Sequence, residues 1–233
     1  MAIGNRVYLK KPEAAKELLE AFKEIPASNV ADTMGRLCAM HPRIRLMSSP
    51  DQAVAVGRAL TVKGRAGDNL MIHKALNMAK EDDVIIATND AGESYRSLMG
   101  EIMFTVAAYK KVAGIILDGP IRDVDAVRGM KLPIYANGTN PGGPYKDGIG
   151  EINVPVSCGG ISINPGDIII MDPDGIVVVP LQDAEEVLKA AVEYHKSDAA
   201  KVTAAATGTA KREWVEKKLA AYETEIIDDY CMK

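Results

Sequence analysis

Three short apolar runs in the middle of the sequence restrict the possible folds most. They are DVIIATN (residues 83–89), GIILDG (114–119) and PIYAN (133–137), and segments with a helical spacing of apolar residues separate them. Apolar runs of this length, rich in Ile and Val, are typical of buried strands. The alternation of strand and helix therefore predicts an α/β fold.

The segments before these runs predict further helices and one more strand. Residues 12–22 alternate apolar and charged side chains at helical spacing, and Ser28 is suited to open a second short helix. A long β-rich run at 53–63 precedes a third helix, which Asp68 can cap. A fourth helix begins near Gly100, just before the second apolar run.

The composition and the spacing of apolar residues change after residue 138. Residues 138–150 are dominated by Gly, Pro, Asn and Asp and predict a loop. Short β-rich runs with NPGD and DPDG turns predict an antiparallel, barrel-like half over 153–180. We therefore expect one α/β domain with N-terminal helices over 1–182, followed by a C-terminal helical extension over 183–233 that Gly208 interrupts.

Composition and charge limit the classes of function. The formal net charge of −4 argues against nucleic acid as the main partner, which would require a basic surface. The N-terminus lacks the apolar core of a signal peptide and no window approaches the roughly 18 apolar residues of a membrane span, so we expect a cytoplasmic protein. Cys38, Cys158 and Cys231 share no C-x-x-C spacing, which favours isolated thiols over a disulfide framework or a zinc site.

The motifs of several common chemistries are missing. The sequence has no G-x-G-x-x-G after its first strand, no G-x-x-x-x-G-K-[ST] and no G-x-S-x-G, so dinucleotide, nucleotide and serine-hydrolase sites are unsupported. His41, His73 and His195 have no Ser or Cys partner nearby in the sequence, and we interpret them as surface or helix-packing residues. Composition does not exclude a Schiff-base lysine, although no lysine lies inside an apolar strand.

The segment GIILDGPIRD places Arg122 and Asp123 directly after an apolar strand. Ligands of α/β sheets gather at the carboxyl ends of strands, which favours a binding site. The alternative is a local ion pair in which Asp123 caps the helix that begins at Val124. These residues alone leave both interpretations open.

A second feature, GEIM at residues 100–103, begins the helix before this strand. The free N–H groups and the positive dipole end of a helix N-terminus can hold a carboxylate. In a βαβ unit, the start of the crossover helix and the end of the following strand lie on the same edge of the sheet. Residues 100–103, Arg122 and Asp123 would then combine amides, a guanidinium and a metal-binding carboxylate, the groups needed to bind and enolise pyruvate.

An acidic residue, twenty intervening positions and Arg-Asp resemble the signature of the class II pyruvate aldolases of 4-hydroxy-4-methyl-2-oxoglutarate and 4-carboxy-4-hydroxy-2-oxoadipate. The wider family includes the regulators of ribonuclease E activity. The likeness extends through GEIM, GIILDGPIRDVDAVR, LPIYANGTNP, PVSCGG and NPGDIIIMDPDGIVVVP, over about residues 28–200. It implies the regulators' fold and a metal-dependent aldolase that yields pyruvate plus pyruvate or oxaloacetate, with oxaloacetate decarboxylation as a side activity.

The resemblance also implies roles for matching residues. Asp123 would bind the divalent cation, Mg²⁺ or Mn²⁺, and Arg122 would bind the pyruvyl group and stabilise its enolate. Glu101, where the family often has aspartate, would hold a water on the metal. Arg65 and Lys146 are candidates for binding the far carboxylate of the 2-oxo acid. Its pyruvyl carboxylate would be held by the backbone amides of Gly100, Glu101, Ile102 and Met103.

The C-terminal extension bears on the function that the resemblance implies. In the aldolases, an acidic residue from this helix of a neighbouring subunit completes the site, within homotrimers or homohexamers. Asp198 occupies the matching stretch, with an exposed helix charge as its alternative role; a nearby residue such as Glu193, or solvent itself, is the alternative acid. The non-catalytic ribonuclease regulators are shorter and lack this helix, so its presence favours the aldolase. A methyltransferase is unsupported, because the sequence has no glycine-rich S-adenosylmethionine loop.

Overall fold

The three central apolar runs form neighbouring strands of one sheet in the computed structural model, which describes residues 3–89 and 95–231. The strands are β1 (Arg6–Val7), β2 (Arg45–Leu46), β3 (Ala55–Gly64), β4 (Asp83–Asn89), β5 (Gly114–Ile121), β6 (Ile134–Thr139), β7 (Gly150–Ile152), β8 (Val156–Cys158), β9 (Ile161–Ile163), β10 (Ile168–Asp172) and β11 (Gly175–Val179). The helices are α1 (Lys16–Lys23), α2 (Ala27–Thr33), α3 (Leu70–Met78), α4 (Glu101–Tyr109), α5 (Val124–Arg128), α6 (Ala184–Ala206) and α7 (Glu213–Ala221). The predicted α/β fold is confirmed.

The main sheet runs in the order β1-β7-β3-β4-β5-β6-β2, and β3 to β6 are parallel. Strand β3 has further antiparallel neighbours on its other side. Its first half pairs with β10, where Arg58 faces Ile168, and its second half pairs with β7, where Val62 faces Ile152. The antiparallel pairing predicted after residue 153 is present in β8–β9 and in β10–β11, and the second hairpin is joined to the main sheet through β3.

The central strands are buried on both faces, which explains their uninterrupted apolar runs. In β4, Ile85 and Ala87 belong to the same core cluster as Phe104 of α4, whereas Val84 and Ile86 belong to a cluster on the other side. Strand side chains alternate between faces with a period of two, so both sets must be apolar. Each fully buried Ile or Val contributes about 1.5–3 kcal/mol to stability.

The N-terminal segment departs from the prediction. Helix α1 begins at Lys16 and not at Pro12, because the residues before it run without helical structure along the core. Lys11 forms an ion pair of 2.8 Å with Asp83, and both side chains are buried. A buried charge is stable only when it is paired, so this contact fixes the segment in place.

The chain divides into two compact units, one up to His195 and one from Lys196 on. In the first, the start of α6 packs Val187 and Leu188 against a third core cluster of α1, α2, β10 and β11. In the second, α6 ends at Ala206, shortly before Gly208, the residue predicted to interrupt the extension. Gly208 has a φ angle of +70°. The extension predicted over 183–233 begins in the first unit and includes the whole second unit, and its packing on a neighbouring subunit stays a prediction. No helix in the described part of the chain is long and apolar enough to cross a membrane.

Candidate active site

The start of α4 and the end of β5 lie side by side at one edge of the sheet, as expected for a βαβ unit. The N–H of Leu98 donates to the carbonyl of Pro120 at 2.8 Å, and the N–H of Arg122 donates to the carbonyl of Met99 at 3.1 Å. Met99 thus pairs in parallel with Ile121, the last residue of β5, and this pairing brings Gly100 next to Asp123.

The side chain of Asp123 forms its hydrogen bond with α4 and not with α5, the helix that Asp123 precedes. It occupies the position before α5 in a left-handed conformation (φ 60, ψ 42) and makes no capping hydrogen bond. Its Oδ2 instead accepts the backbone N–H of Glu101, the first residue of α4, at 2.9 Å. A left-handed non-glycine residue costs about 1–3 kcal/mol and persists where its surroundings enforce it. The geometry therefore favours a site over the simple helix cap.

Arg122 and Asp123 approach Gly100 too closely for a side chain there. The Nε of Arg122 lies 3.6 Å from Oδ2 of Asp123, and both side chains are just over two-fifths exposed. A Cβ on Gly100 would overlap the Asp123 carboxylate and lie 3.0 Å from both Cγ and Nε of Arg122. A Cβ on Gly143 would lie 3.0 Å from Nη1 of Arg122. Two glycines thus leave room for the guanidinium and the carboxylate.

Two of the four backbone amides at the start of α4 are already engaged. The Glu101 N–H donates to Asp123, and the Met103 N–H donates to the Gly100 carbonyl at 3.0 Å. Among the described residues, the N–H groups of Gly100 and Ile102 have no hydrogen-bond partner. Of the four backbone amides predicted to bind the pyruvyl carboxylate, those of Gly100 and Ile102 are therefore available to donate to it.

A cavity of about 250 Å³ opens at this edge. It is lined by Asn69, His73, Leu98, Met99, Gly100, Ile102, Met103, Arg122, Asp123, Gly143, Pro144 and Lys146. Lys146 was predicted from the sequence, whereas Arg65 is exposed and does not line the cavity. The side chain of Glu101 is exposed and does not line it either. Asp198, the remaining predicted residue, lies half-buried in the second unit.

Asn69 and His73 are the polar side chains of the lining that the sequence did not identify as site residues. Asn69 is buried and its Nδ2 donates to the Leu98 carbonyl at 2.9 Å, but its Oδ1 has no hydrogen-bond partner among residues 3–89 and 95–231. A buried carbonyl without a partner costs about 1–3 kcal/mol. The pKa of His73 is lowered, chiefly by burial and then by the charge of Lys146. Helix α3 follows β3 as α4 follows β4, but neither Asn69 nor His73 has a local sequence signature that marks it as a cavity residue.

The other two histidines have hydrogen-bond partners outside this cavity. The Nδ1 of His41 accepts the backbone N–H of Arg43 at 3.0 Å. The Nδ1 of His195 lies 2.7 Å from Oδ1 of Asn29 in α2. For His41 and His195, surface and helix-packing roles therefore fit the structure, while His73 differs from them by facing a cavity.

The loop that carries Gly143 and Lys146 is held at several points. Asp68 accepts the N–H groups of Asp147 and Gly148 on Oδ2, at 2.8 and 2.6 Å, and that of Leu70 on Oδ1, at 2.9 Å. Further contacts come from the Ser97 backbone and hydroxyl, which both donate to the Gly142 carbonyl, and from Arg96, which donates to the Gly143 carbonyl and stacks 4.1 Å from the Tyr145 ring. This wall of the cavity is therefore preformed.

Comparison with known proteins finds relatives over most of the chain. A family model described as RraA-like, Aldolase/RraA, matches residues 27–178. A protein of Halalkalibacterium halodurans with the name "Putative 4-hydroxy-4-methyl-2-oxoglutarate aldolase" is 35% identical over 208 residues, which cover 89% of this chain and 98% of that protein.

Solved structures give the same picture of the fold. An uncharacterized protein from Pseudomonas syringae pv. tomato has a TM-score of 0.73 at 24% identity, over 84% of this chain and 96% of that one. Streptomyces coelicolor RraAS2, described as an unusual member of the RNase ES inhibitor RraA protein family, has a TM-score of 0.71 at 23% identity, over 81% and 97%. At these identities the likeness concerns the fold alone.

Proposed function

We propose that this chain, which belongs to the RraA-like (Aldolase/RraA) family, is a metal-dependent aldolase. Its substrates would be 4-hydroxy-4-methyl-2-oxoglutarate, 4-carboxy-4-hydroxy-2-oxoadipate or both, cleaved to pyruvate plus pyruvate or oxaloacetate. One observation carries the proposal: the carboxylate of Asp123 leaves its capping position for the first N–H of α4, beside the guanidinium of Arg122. The name of the 35% identical relative supports the same reaction.

The pyruvyl half of the substrate would bind between Arg122 and the start of α4. The planar guanidinium can hold a carboxylate oxygen and the neighbouring 2-oxo oxygen together. The N–H groups of Gly100 and Ile102, which have no partner among the described residues, can donate to the same carboxylate. The α4 dipole adds a positive potential at this point.

Asp123 would hold the cation, Mg²⁺ or Mn²⁺, through the oxygen that Glu101 does not engage. That oxygen has no protein partner in the described chain, and such cations combine one or two carboxylates with water and substrate oxygens. A bound cation would polarise the 2-oxo acid as a Lewis acid. Since Arg122 and Lys146 line the same cavity, their positive charges favour the binding of an anionic acid. The exposed Glu101 side chain, at the first position of α4, would hold a water beside the cation.

Cleavage breaks the C3–C4 bond and leaves its electron pair on C3, as the enolate of pyruvate. The C4 hydroxyl loses its proton to a base, C4 becomes the carbonyl carbon of the second product, and C3 takes up a proton. Arg122 stabilises the negative charge that develops on the enolate oxygen, an interaction that strengthens in the transition state. Oxaloacetate gives the same enolate when it loses carbon dioxide, so the proposal includes this decarboxylation as a side activity.

The proposal further places the second unit on a neighbouring copy, with Asp198 completing that copy's site in a homotrimer or homohexamer. The exposure of apolar side chains in this unit supports it. None of the residues of α7 is buried. Within the described part of the second unit, the large apolar side chains that are at least three-fifths exposed are Val202, Trp214, Tyr222, Ile226, Ile227 and Tyr230. A surface of this kind is typical of a segment that is covered in an oligomer.

The test is release of pyruvate, coupled to lactate dehydrogenase, from both acids with the full-length protein. We expect EDTA to abolish the release and Mg²⁺ or Mn²⁺ to restore it. Full activity in metal-free protein contradicts the metal dependence. Folded, metal-loaded protein that releases no pyruvate from a panel of 4-hydroxy-2-oxo acids contradicts the aldolase, and a non-catalytic binding role like that of the ribonuclease regulators then explains the chain better.

A further inference from the structure

The cavity has a second set of polar groups that the pyruvyl half of a substrate does not use. Asn69 and His73 stand one turn apart at the start of α3, and Lys146 comes from the clamped loop. Residues four apart on a helix share a face, so Asn69 and His73 line the cavity together. We define Asn69, His73 and Lys146 as the distal wall.

The unpartnered oxygen of Asn69 points to a specific type of ligand group. The amide orientation is fixed, because Nδ2 donates to the Leu98 carbonyl, and a flipped amide would bring two carbonyl oxygens together. The Oδ1 then needs a donor, and none of the described protein groups supplies one. Asn69 also makes no capping hydrogen bond at the start of α3, so helix capping does not explain its presence. A hydroxyl group can satisfy this oxygen, whereas a carboxylate or keto oxygen cannot.

The charges of the cavity point to a ligand with two carboxylates. Arg122 and Lys146 are positive and Asp123 is the one acidic residue among the lining residues. A pyruvate-like monoanion on Arg122 leaves Lys146 without a counter-charge. His73, whose pKa is lowered by burial and by Lys146, is neutral at neutral pH and can donate one ring N–H beside that ammonium group.

We propose that the distal wall reads the non-pyruvyl half of the substrate, with Lys146 and His73 binding its second carboxylate and Asn69 accepting its C4 hydroxyl. This inference rests on the proposed function, because that function sets the other half of the ligand. It makes the three side chains determinants of specificity for 4-hydroxy-2-oxo dicarboxylic acids. A cavity of about 250 Å³ suits acids of this size.

The first experiment compares two acids that are not cleaved. Pyruvate and 2-oxoglutarate share the 2-oxo carboxylate, and only the second carries a distal carboxylate. Their affinities are measured by calorimetry on the full-length protein with Mg²⁺, for wild type, Lys146→Met, His73→Leu and the control Lys74→Met, an exposed lysine of α3. We expect Lys146→Met to weaken 2-oxoglutarate about tenfold, as for the loss of one charged hydrogen bond. His73→Leu should weaken it less, and pyruvate should change less than about twofold in either variant.

The hydroxyl contact is tested separately with Asn69→Leu, which keeps the branching and number of side-chain heavy atoms and removes the acceptor together with the Nδ2 donor. We expect kcat/KM for 4-hydroxy-4-methyl-2-oxoglutarate to fall about tenfold while 2-oxoglutarate, which has no hydroxyl, binds as before. Asn69→Asp, which keeps an acceptor, should retain more of the activity. Circular dichroism confirms that each variant is folded, and if Asn69→Leu does not fold, Asn69→Asp and Asn69→Ser are compared in the same way.

The outcomes separate this inference from the proposed function. Equal weakening of both acids by Lys146→Met, or no weakening, overturns the distal wall even when wild type is an active aldolase. Wild type that binds both acids with the expected discrimination but cleaves nothing overturns the aldolase and leaves the distal carboxylate contact intact. Wild type that binds neither acid overturns both proposals.

Discussion

Replacement of Gly100 by alanine isolates the geometry of the site from its chemistry, because no functional side chain is removed. The backbone of Gly100 is extended (φ −144, ψ −173), so alanine adopts it without strain. The added Cβ, however, would overlap Oδ2 of Asp123 and lie 3.0 Å from two atoms of the Arg122 side chain. One or both groups must move, by about an ångström for the carboxylate, and a shift of that size costs about 10²-fold in rate.

Stability should respond much less than activity. Asp123 and Arg122 are more than two-fifths exposed, so both side chains can turn toward solvent. The loss is then one hydrogen bond from the Glu101 N–H, about 1 kcal/mol, which lowers Tm by about 2–4 °C in a protein of this size. The expected fall in kcat/KM corresponds to about 2.7 kcal/mol, more than twice as much.

The assay is pyruvate release by wild type, Gly100→Ala and the matched control Gly138→Ala, with Tm from calorimetry on the same samples. Gly138 lies in β6 and a Cβ there would meet nothing within 4 Å. We expect Gly138→Ala to keep wild-type activity. Gly100→Ala with undiminished kcat/KM would refute the argument that the approach of Asp123 to α4 defines the site. An equal loss in both variants would attribute the effect to glycine replacement in general.

Three further experiments test other parts of the site. Arg122→Lys should lose about 10²–10³-fold in kcat, because lysine lacks the planar fork, while Arg128→Lys on α5 should be unaffected; near-normal turnover in folded Arg122→Lys makes the arginine structural. Asp68→Ala frees three backbone N–H groups and should raise KM more than it lowers kcat in steady-state kinetics, and an unchanged KM contradicts the clamp. Asp198→Ala and Asp123→Ala, each nearly inactive, should regain activity when mixed under subunit exchange; wild-type turnover by Asp198→Ala alone removes it from the site.

The parts of the structure that depend on local pattern were predictable. β4 matches its predicted run, and Arg122 and Asp123 lie at a strand end because chain order in a βαβ unit requires it. The buried ion pair between Lys11 and Asp83, in the non-helical segment before α1, was not predictable, because it joins residues far apart in the sequence. Helical spacing carries no information about such a pair.

The site was predictable only as far as one βαβ unit reaches. His73 was assigned to packing because a single histidine has no local signature, and its place at the cavity depends on how α3 lies beside α4. The engagement of the Met103 N–H also escaped, because it depends on the tight first turn of α4. Asn69 also escaped, because its distinguishing feature is a buried Oδ1 without a hydrogen-bond donor among the described residues, which only a three-dimensional structure reveals.

The position of β3 has a consequence for how the chain reaches its native state. This strand is made early in synthesis, yet two of its neighbours, β7 and β10, follow roughly a hundred residues later. Contacts between such distant segments slow folding, and until they form one edge of β3 offers unpaired N–H and C=O groups. In a nascent or truncated chain that ends before Asp172, β3 is therefore a mostly apolar strand with an unpaired edge that can pair with other chains. Such fragments should aggregate or require a chaperone until the β10–β11 hairpin closes that edge.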